Sequence, residues 1–130
     1  MPSPKKPRKG RGVDSEHCLH LHAQQWLVKS GIWDRLLIFH VANERKGSIG
    51  AAMHFKRMGV RPGVADYLAF SSYSGNTAIE LKAADGKLSK EQQAFADAWV
   101  EAYGSYVVVR TLEEFQKLVT TLASSPPGRF

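Results

Sequence analysis

An α/β fold, a mixed sheet flanked by helices, is predicted by three features of this 130-residue chain. Its periodic segments run helix, strand, helix, strand, strand, helix, strand, helix, the order expected when helices pack on a mixed sheet. The two adjacent strands are separated by Ser71-Ser72-Tyr73-Ser74-Gly75-Asn76, a run of turn formers that predicts a hairpin. The strand ending in Glu80-Leu81-Lys82, the next helix and Tyr106-Val107-Val108-Val109 form a βαβ unit. Its strands are expected to be parallel, with a right-handed crossover.

Each element has a local reason. Asp14 or Ser15 suits the cap of a first helix reaching about Lys29, with Leu19, Ala23, Trp26 and Leu27 near one face and Gly31 as its stop. Arg35 to His40 contains Leu-Leu-Ile-Phe and reads as a strand. Gly47 or Ser48 opens a helix through Met58, which Gly59 ends. Tyr67 to Ser71 and Thr77 to Lys82 are the hairpin strands, and Ala83-Ala84-Asp85-Gly86 turns the chain. Ser89 to Tyr103 is a helix with Phe95, Ala98, Trp99 and Ala102 inward. Ser105 to Arg110 is a buried strand. Thr111-x-x-Glu114 is a capping box opening a helix to about Leu122.

Composition bounds the class. Hydrophobic residues make up 43% and charged residues 23%, which fits a folded globular chain rather than a disordered one. The length suits one domain with a real core. No run approaches the ~20 apolar residues of a membrane span, and the N-terminus has no apolar signal segment. The single cysteine, Cys18, excludes an internal disulfide and suits a reducing compartment. The protein is expected to be cytoplasmic, with no membrane partner. Five of the six net positive charges come from Lys5, Lys6, Arg8, Lys9 and Arg11, so the rest of the chain is nearly neutral. Residues 1–14 read as a basic, disordered arm, 15–123 as the folded domain and 124–130 as a loose tail.

The stretch from Asp66 to Gln92 carries the chemistry. On a strand, residues two apart share a face, so Glu80 and Lys82 point one way and Ile79 and Leu81 the other. A hairpin centred near Tyr73-Ser74 pairs residues whose numbers sum to about 147, within about two. Asp66 then lies beside Glu80 and Lys82, on one edge of the sheet. Opposed side chains are roughly 5 Å apart at Cβ. Two carboxylates at that distance repel unless a cation bridges them or one holds a proton. Their hard oxygens suit Mg²⁺ or Mn²⁺. The competing reading is a solvated strand face with a weak Glu80–Lys82 ion pair. Ser89-x-x-Gln92 is a capping-box pattern, so spacing alone makes Gln92 a helix cap.

Met58-Gly59-Val60-Arg61-Pro62-Gly63-Val64-Ala65-Asp66, Ile79-Glu80-Leu81-Lys82 and Gly86-Lys87-Leu88-Ser89-Lys90-Glu91-Gln92-Gln93 together resemble the VRR-NUC family of PD-(D/E)XK nucleases. His40-Val41-Ala42-Asn43-Glu44 resembles a further family segment. The likeness runs through roughly residues 15 to 120. One departure is Ala65, where the family usually has proline before the first acid. The resemblance implies a restriction-endonuclease-like core and a metal-dependent endonuclease acting on DNA, with a junction or flap among the substrates to consider. It implies Asp66 and Glu80 as metal ligands with the Leu81 carbonyl, and Lys82 as the group that orients the attacking water. It also implies Gln92 as support for the site and, on a less secure match, Glu16 as a further ligand. A homodimer follows by analogy alone. The alternative is a noncatalytic nucleic-acid-binding module on the same fold; a third is an interaction domain with a solvated polar face.

Other clusters weigh less. Cys18 and His22 share one helix face and His17 and His20 another, so the four do not converge as zinc ligands and read as ordinary helix residues. Arg45 and Lys46, or His54, Lys56, Arg57 and Arg61, suit phosphate contact or plain solvent exposure, and Glu44 suits an approach to the metal or a solvated loop. Gly63 reads as a backbone requirement.

Deleting residues 1–12 should weaken DNA binding without abolishing cleavage, because five cations lie there and no expected ligand does. The logarithm of affinity plotted against the logarithm of salt should become shallower. An unchanged slope would mean that the arm does not touch phosphate.

Overall fold

Leu19, Ala23 and Leu27 recur every four residues and form the buried stripe of the first helix, α1 (Gly12–Lys29). The computed structural model describes residues 12–42 and 49–124. The arm residues 1–11, the polar segment Asn43 to Ser48 and the tail from 125 lie outside the described residues, as do the expectations for Glu44, Arg45, Lys46, Gly47 and Ser48. α1 starts before Asp14 and Ser15, which therefore do not cap it. Gly12 and Val13 carry no capping signal, so the sequence puts the start too late. Gly31 takes the left-handed φ of 77° that ends the helix.

A single 3₁₀ turn, Ile32–Asp34, follows. Arg35 and Leu36 donate their N–H groups to the Ile32 carbonyl, so the first strand, β1 (Leu37–His40), is shorter than expected. The helix α2 (Ile49–Arg57) stops just before Gly59, whose φ is 85°. The hairpin strands are β2 (Tyr67–Ser71) and β3 (Gly75–Leu81). β3 begins two residues earlier than expected because the turn takes only Ser72, Tyr73 and Ser74. Ser71 Oγ accepts from the Ser74 N–H at 3.2 Å, and Gly75 supplies the positive φ that a three-residue hairpin loop requires.

The remaining elements are α3 (Lys90–Glu101), β4 (Ser105–Val109) and α4 (Leu112–Ala123). The sheet order is β1-β2-β3-β4; β1-β2 and β2-β3 are antiparallel and β3-β4 is parallel. Thr111 caps α4 by accepting from the Glu114 N–H. The Glu114 carboxylate reaches back to the Arg110 N–H rather than to Thr111, so only half of the expected box forms.

The sheet has two unlike faces. Tyr67, Ala69, Ile79, Leu81 and Val109 join Leu19, Ala23 and Leu27 of α1 and Phe115, Val119 and Leu122 of α4 in the apolar core. The opposite face, which carries Glu80, is met by α3, with Phe95 packed on Tyr106. On α3, Ala96 is buried and Phe95 and Trp99 are half-buried, whereas Ala98 and Ala102 are exposed. The buried stripe runs through Gln92, Phe95, Ala96 and Trp99, one position round from the expected one. Small alanines carry little signal about which side faces the sheet.

Gly63 fixes the loop before β2 against the start of α3. Its φ is 77°, and a Cβ there would overlap the backbone of Glu91 and Gln92. Gly75 has the same φ with open space around it. Gly75→Ala should therefore cost only the backbone term, about 1–2 kcal/mol. Gly63→Ala should cost clearly more, because the loop or helix must move as well. Urea unfolding of the two variants measures the difference; equal losses would mean that the close approach contributes nothing.

Candidate active site

The register sets the site. Tyr67 pairs with Ile79, so paired residue numbers sum to 146, within the expected range, and Asp66 extends the ladder to stand opposite Glu80. β2 and β3 are the two central strands. The acids therefore meet at strand ends in the middle of the sheet, not along its edge.

Asp66 is held through its carbonyl and one carboxylate oxygen. Its carbonyl accepts from the Val41 N–H at 2.8 Å and lies 2.8 Å from His40 Nδ1. Its Oδ2 accepts from the Leu81 N–H at 2.7 Å. Its Oδ1 lies 3.6 Å from His20 Nε2. The Leu81 contact to Asp66 is thus made by the amide N–H. Its carbonyl as a ligand is a matter for the functional proposal.

Glu80 is 2% exposed, which overturns the reading of a solvated strand face. Its Oε1 accepts from Gln92 Nε2 at 3.0 Å and lies 3.9 Å from Lys82 Nζ. Its Oε2 is buried with no hydrogen-bond partner in this geometry among the described residues. Burial first, and then the charge of Asp66, pushes the Glu80 carboxyl from its ordinary 4.5 up to about 8; Lys82 opposes the rise, and a hydrogen bond from the protonated carboxyl to Asp66 adds to it. Tyr106, with its hydroxyl also buried and unpartnered, is raised by burial and by the same two carboxylates.

Gln92 does both things the sequence left open. Its Oε1 accepts from the Ser89 N–H at 2.8 Å while Ser89 Oγ accepts from the Gln92 N–H, a complete capping box. Its free Nε2 then reaches Glu80. The cap fixes the amide's orientation, and that orientation fixes the Glu80 rotamer.

Glu16 and His20, four apart on α1, bring ligand atoms together with a carboxylate oxygen of Asp66, all within 4.8 Å of one another. Glu80 is not in that tight group but lines the same cavity of about 410 Å³, together with His40 and Gln92. His20 and His40 are the site residues that sequence reasoning missed. His20 was signalled by its i, i+4 spacing to Glu16, and His40 by its place at the end of β1. His17, Cys18 and His22 are exposed, so no four-ligand zinc cluster forms from that segment.

The donor set fits a divalent cation. Four carboxylates and two imidazoles line one cavity, and a buried carboxylate oxygen has no hydrogen-bond partner among the described residues. Burying like charges together costs free energy that Lys82 offsets only in part.

The raised Glu80 makes a signed prediction for the metal-free protein. A carboxyl whose pKa is higher folded than unfolded gives its full contribution below about pH 4.5 and loses it as pH rises through about 8. Stability to urea should fall across that window relative to Glu80→Gln, by on the order of a few kcal/mol. Saturating Mn²⁺ should remove most of the difference. Parallel wild-type and Glu80→Gln curves from pH 4.5 to 8 would contradict the raised value.

No protein-family model and no curated protein matches the chain. Among solved structures it is similar to a "VRR_NUC domain protein", with a TM-score of 0.66 and 17% identity over 82% of this chain and 86% of that one. At that identity the likeness concerns the fold. The mixed four-stranded sheet with flanking helices is the restriction-endonuclease-like fold of a VRR_NUC domain.

Proposed function

We propose that the protein is a metal-dependent endonuclease that hydrolyses phosphodiester bonds in DNA. The observation that carries this reading is buried Glu80, its Oε2 without a hydrogen-bond partner among the described residues, beside Asp66 at a cavity that Lys82 adjoins through Glu80. A purely structural carboxylate at 2% exposure would be expected to have both oxygens satisfied.

Asp66 and Glu80 hold Mg²⁺ or Mn²⁺, with Glu16 and the Leu81 carbonyl completing the oxygen set. The chemistry such a cation supplies when bound is a lowered water pKa and neutralisation of the phosphate. Lys82 orients the attacking water through its ammonium N–H groups and stabilises charge that develops on the phosphate oxygens. Gln92 keeps Glu80 Oε1 engaged and leaves Oε2 without a hydrogen bond among the described residues. The Leu81 N–H does the same for Asp66. Water attack on phosphorus forms one P–O bond as the bond to the leaving oxygen breaks, and the leaving oxygen takes up a proton.

DNA as the substrate rests on the motif resemblance and the shared fold. The exposed Lys56, Arg57 and Arg61 are suited to backbone phosphates, as is the basic arm in sequence. A junction or flap is the structure-specific form to test. Exposed Leu37 and Phe39 on edge strand β1 favour a homodimer. Among the described residues no helix is long and apolar enough to cross a membrane.

Asp66→Asn, Glu80→Gln and Lys82→Ala should each lower cleavage by roughly 10²–10³-fold or more while keeping the native circular dichroism spectrum. The double variant Asp66→Asn/Glu80→Gln should be scarcely worse than either single one, because the groups act as a unit. Lys82→Ala should still bind Mn²⁺, and the two carboxylate variants should bind it poorly. The assay is a panel of plasmid, linear duplex, flap and four-way junction, with Mg²⁺, Mn²⁺ or chelator. Wild-type cleavage by well-folded Glu80→Gln would remove the reaction from this site. Metal and DNA binding without turnover on any substrate would leave the noncatalytic binding module.

A further inference from the structure

We infer that His20 is a nitrogen ligand of the bound cation, making the site a mixed oxygen–nitrogen centre that prefers Mn²⁺ to Mg²⁺. The inference rests on the cation-binding reading above and names a residue that the sequence reading did not place at the site.

The geometry comes first. Glu16 and His20 are one helical turn apart on α1, so both project from the same face. His20 Nε2 is 3.6 Å from Asp66 Oδ1, and one ligand atom from each of Glu16, His20 and Asp66 falls within 4.8 Å of the others. In an octahedral shell with bonds of roughly 2.1 Å, ligand atoms stand about 3 Å apart when adjacent and about 4 Å when opposite. The His20–Asp66 spacing of 3.6 Å needs about 0.6 Å of closure to the adjacent distance, and the pairs with Glu16, within 4.8 Å, need at most about 1.8 Å.

A second, independent observation points to a ligand in the same cavity. Glu80, 2% exposed, lines it, and its Oε2 has no hydrogen-bond partner among the described residues. The His20 ring is also oriented. It meets His40 edge-on with centroids 5.7 Å apart, and His40 Nδ1 in turn lies 2.8 Å from the Asp66 carbonyl. The other histidines of the segment, His17 and His22, are exposed and outside the cluster.

The donor chemistry gives the selectivity. Mg²⁺ favours an all-oxygen shell and keeps its waters, whereas imidazole binds first-row transition ions, Mn²⁺ the most weakly among them. One nitrogen therefore adds little for Mg²⁺ and more for Mn²⁺.

The test uses the full chain and MnCl₂ alone, without DNA. Electron spin echo modulation of bound Mn²⁺ should show a directly coordinated ¹⁴N that changes to the ¹⁵N pattern when the histidines are ¹⁵N-labelled. Because it needs no substitution, this result does not depend on any variant folding. His20→Ala should abolish the coupling, and His22→Ala should leave it intact. Calorimetry should give Mn²⁺ affinity about tenfold weaker in His20→Ala, with Mg²⁺ affinity changed less than about threefold. Wild-type Mn²⁺ bound with no nitrogen coupling overturns the inference and leaves the endonuclease reading standing. Failure to bind Mn²⁺ at all overturns both.

Discussion

A carboxylate at 2% exposure, facing a second carboxylate across two central strands, is the constraint to which much of this structure answers. Burying that group unaided is unfavourable by several kcal/mol. The fold surrounds it with partial compensation. Lys82 is two residues along the same strand, Gln92 donates from above, and the Leu81 N–H draws the charge of Asp66 towards the backbone. Each compensation imposes a structural demand. Gln92 reaches Glu80 only if α3 starts where Ser89 caps it, and α3 starts there only if the preceding loop approaches without a side chain at Gly63. A local electrostatic problem on β3 thus reaches as far as a glycine in a different loop.

The sheet can carry this burden because its two faces divide the labour. The core of Tyr67, Ile79, Leu81, Phe115 and Val119 lies on the face away from Glu80 and contains no ionisable carboxylate. Tyr67 is the one core side chain that senses the site. Burial and then Asp66 push its phenol up to about 12, and its hydroxyl donates to Gln24 at 2.8 Å. α1 works on both sides of the division. Leu19, Ala23 and Leu27 anchor it in the core, and Glu16 and His20 project from its N-terminal half towards Asp66. Packing energy from the apolar stripe thereby holds Glu16 and His20 beside Asp66.

Much of this was legible in the sequence, and the reasons are specific. The hairpin register followed from a turn-rich segment flanked by two short strands, because a pairing sum has only about two residues of play. That brought Asp66 beside Glu80 without any tertiary information. The capping box at Ser89 and Gln92 was legible as local chemistry, and the motif resemblance supplied the second role of the same amide. What stayed hidden depended on relations between elements. Nothing in the sequence says that the face carrying Glu80 and Lys82 is covered by α3, so a solvated ion pair remained possible until burial was seen. The inward alanine of α3 is Ala96 rather than Ala98, because a helix presenting Gln92 to the sheet must rotate its stripe to match.

His20 illustrates the limit most sharply. In sequence it sits among His17, Cys18 and His22, and helical geometry correctly splits that group so that no zinc cluster forms. The same argument, applied only within the group, discards His20 with the rest. The informative partner was not another histidine but Glu16, one turn earlier, and its relevance appears only once α1 is packed so that both meet Asp66. Local spacing can say which side chains share a face. It cannot say what that face meets. Here the core stripe of α1 decides that question, since fixing Leu19, Ala23 and Leu27 against the sheet fixes the helix rotation and with it the direction of His20. The convergence of Glu16, His20 and Asp66 is therefore a consequence of apolar packing as much as of the charged motif.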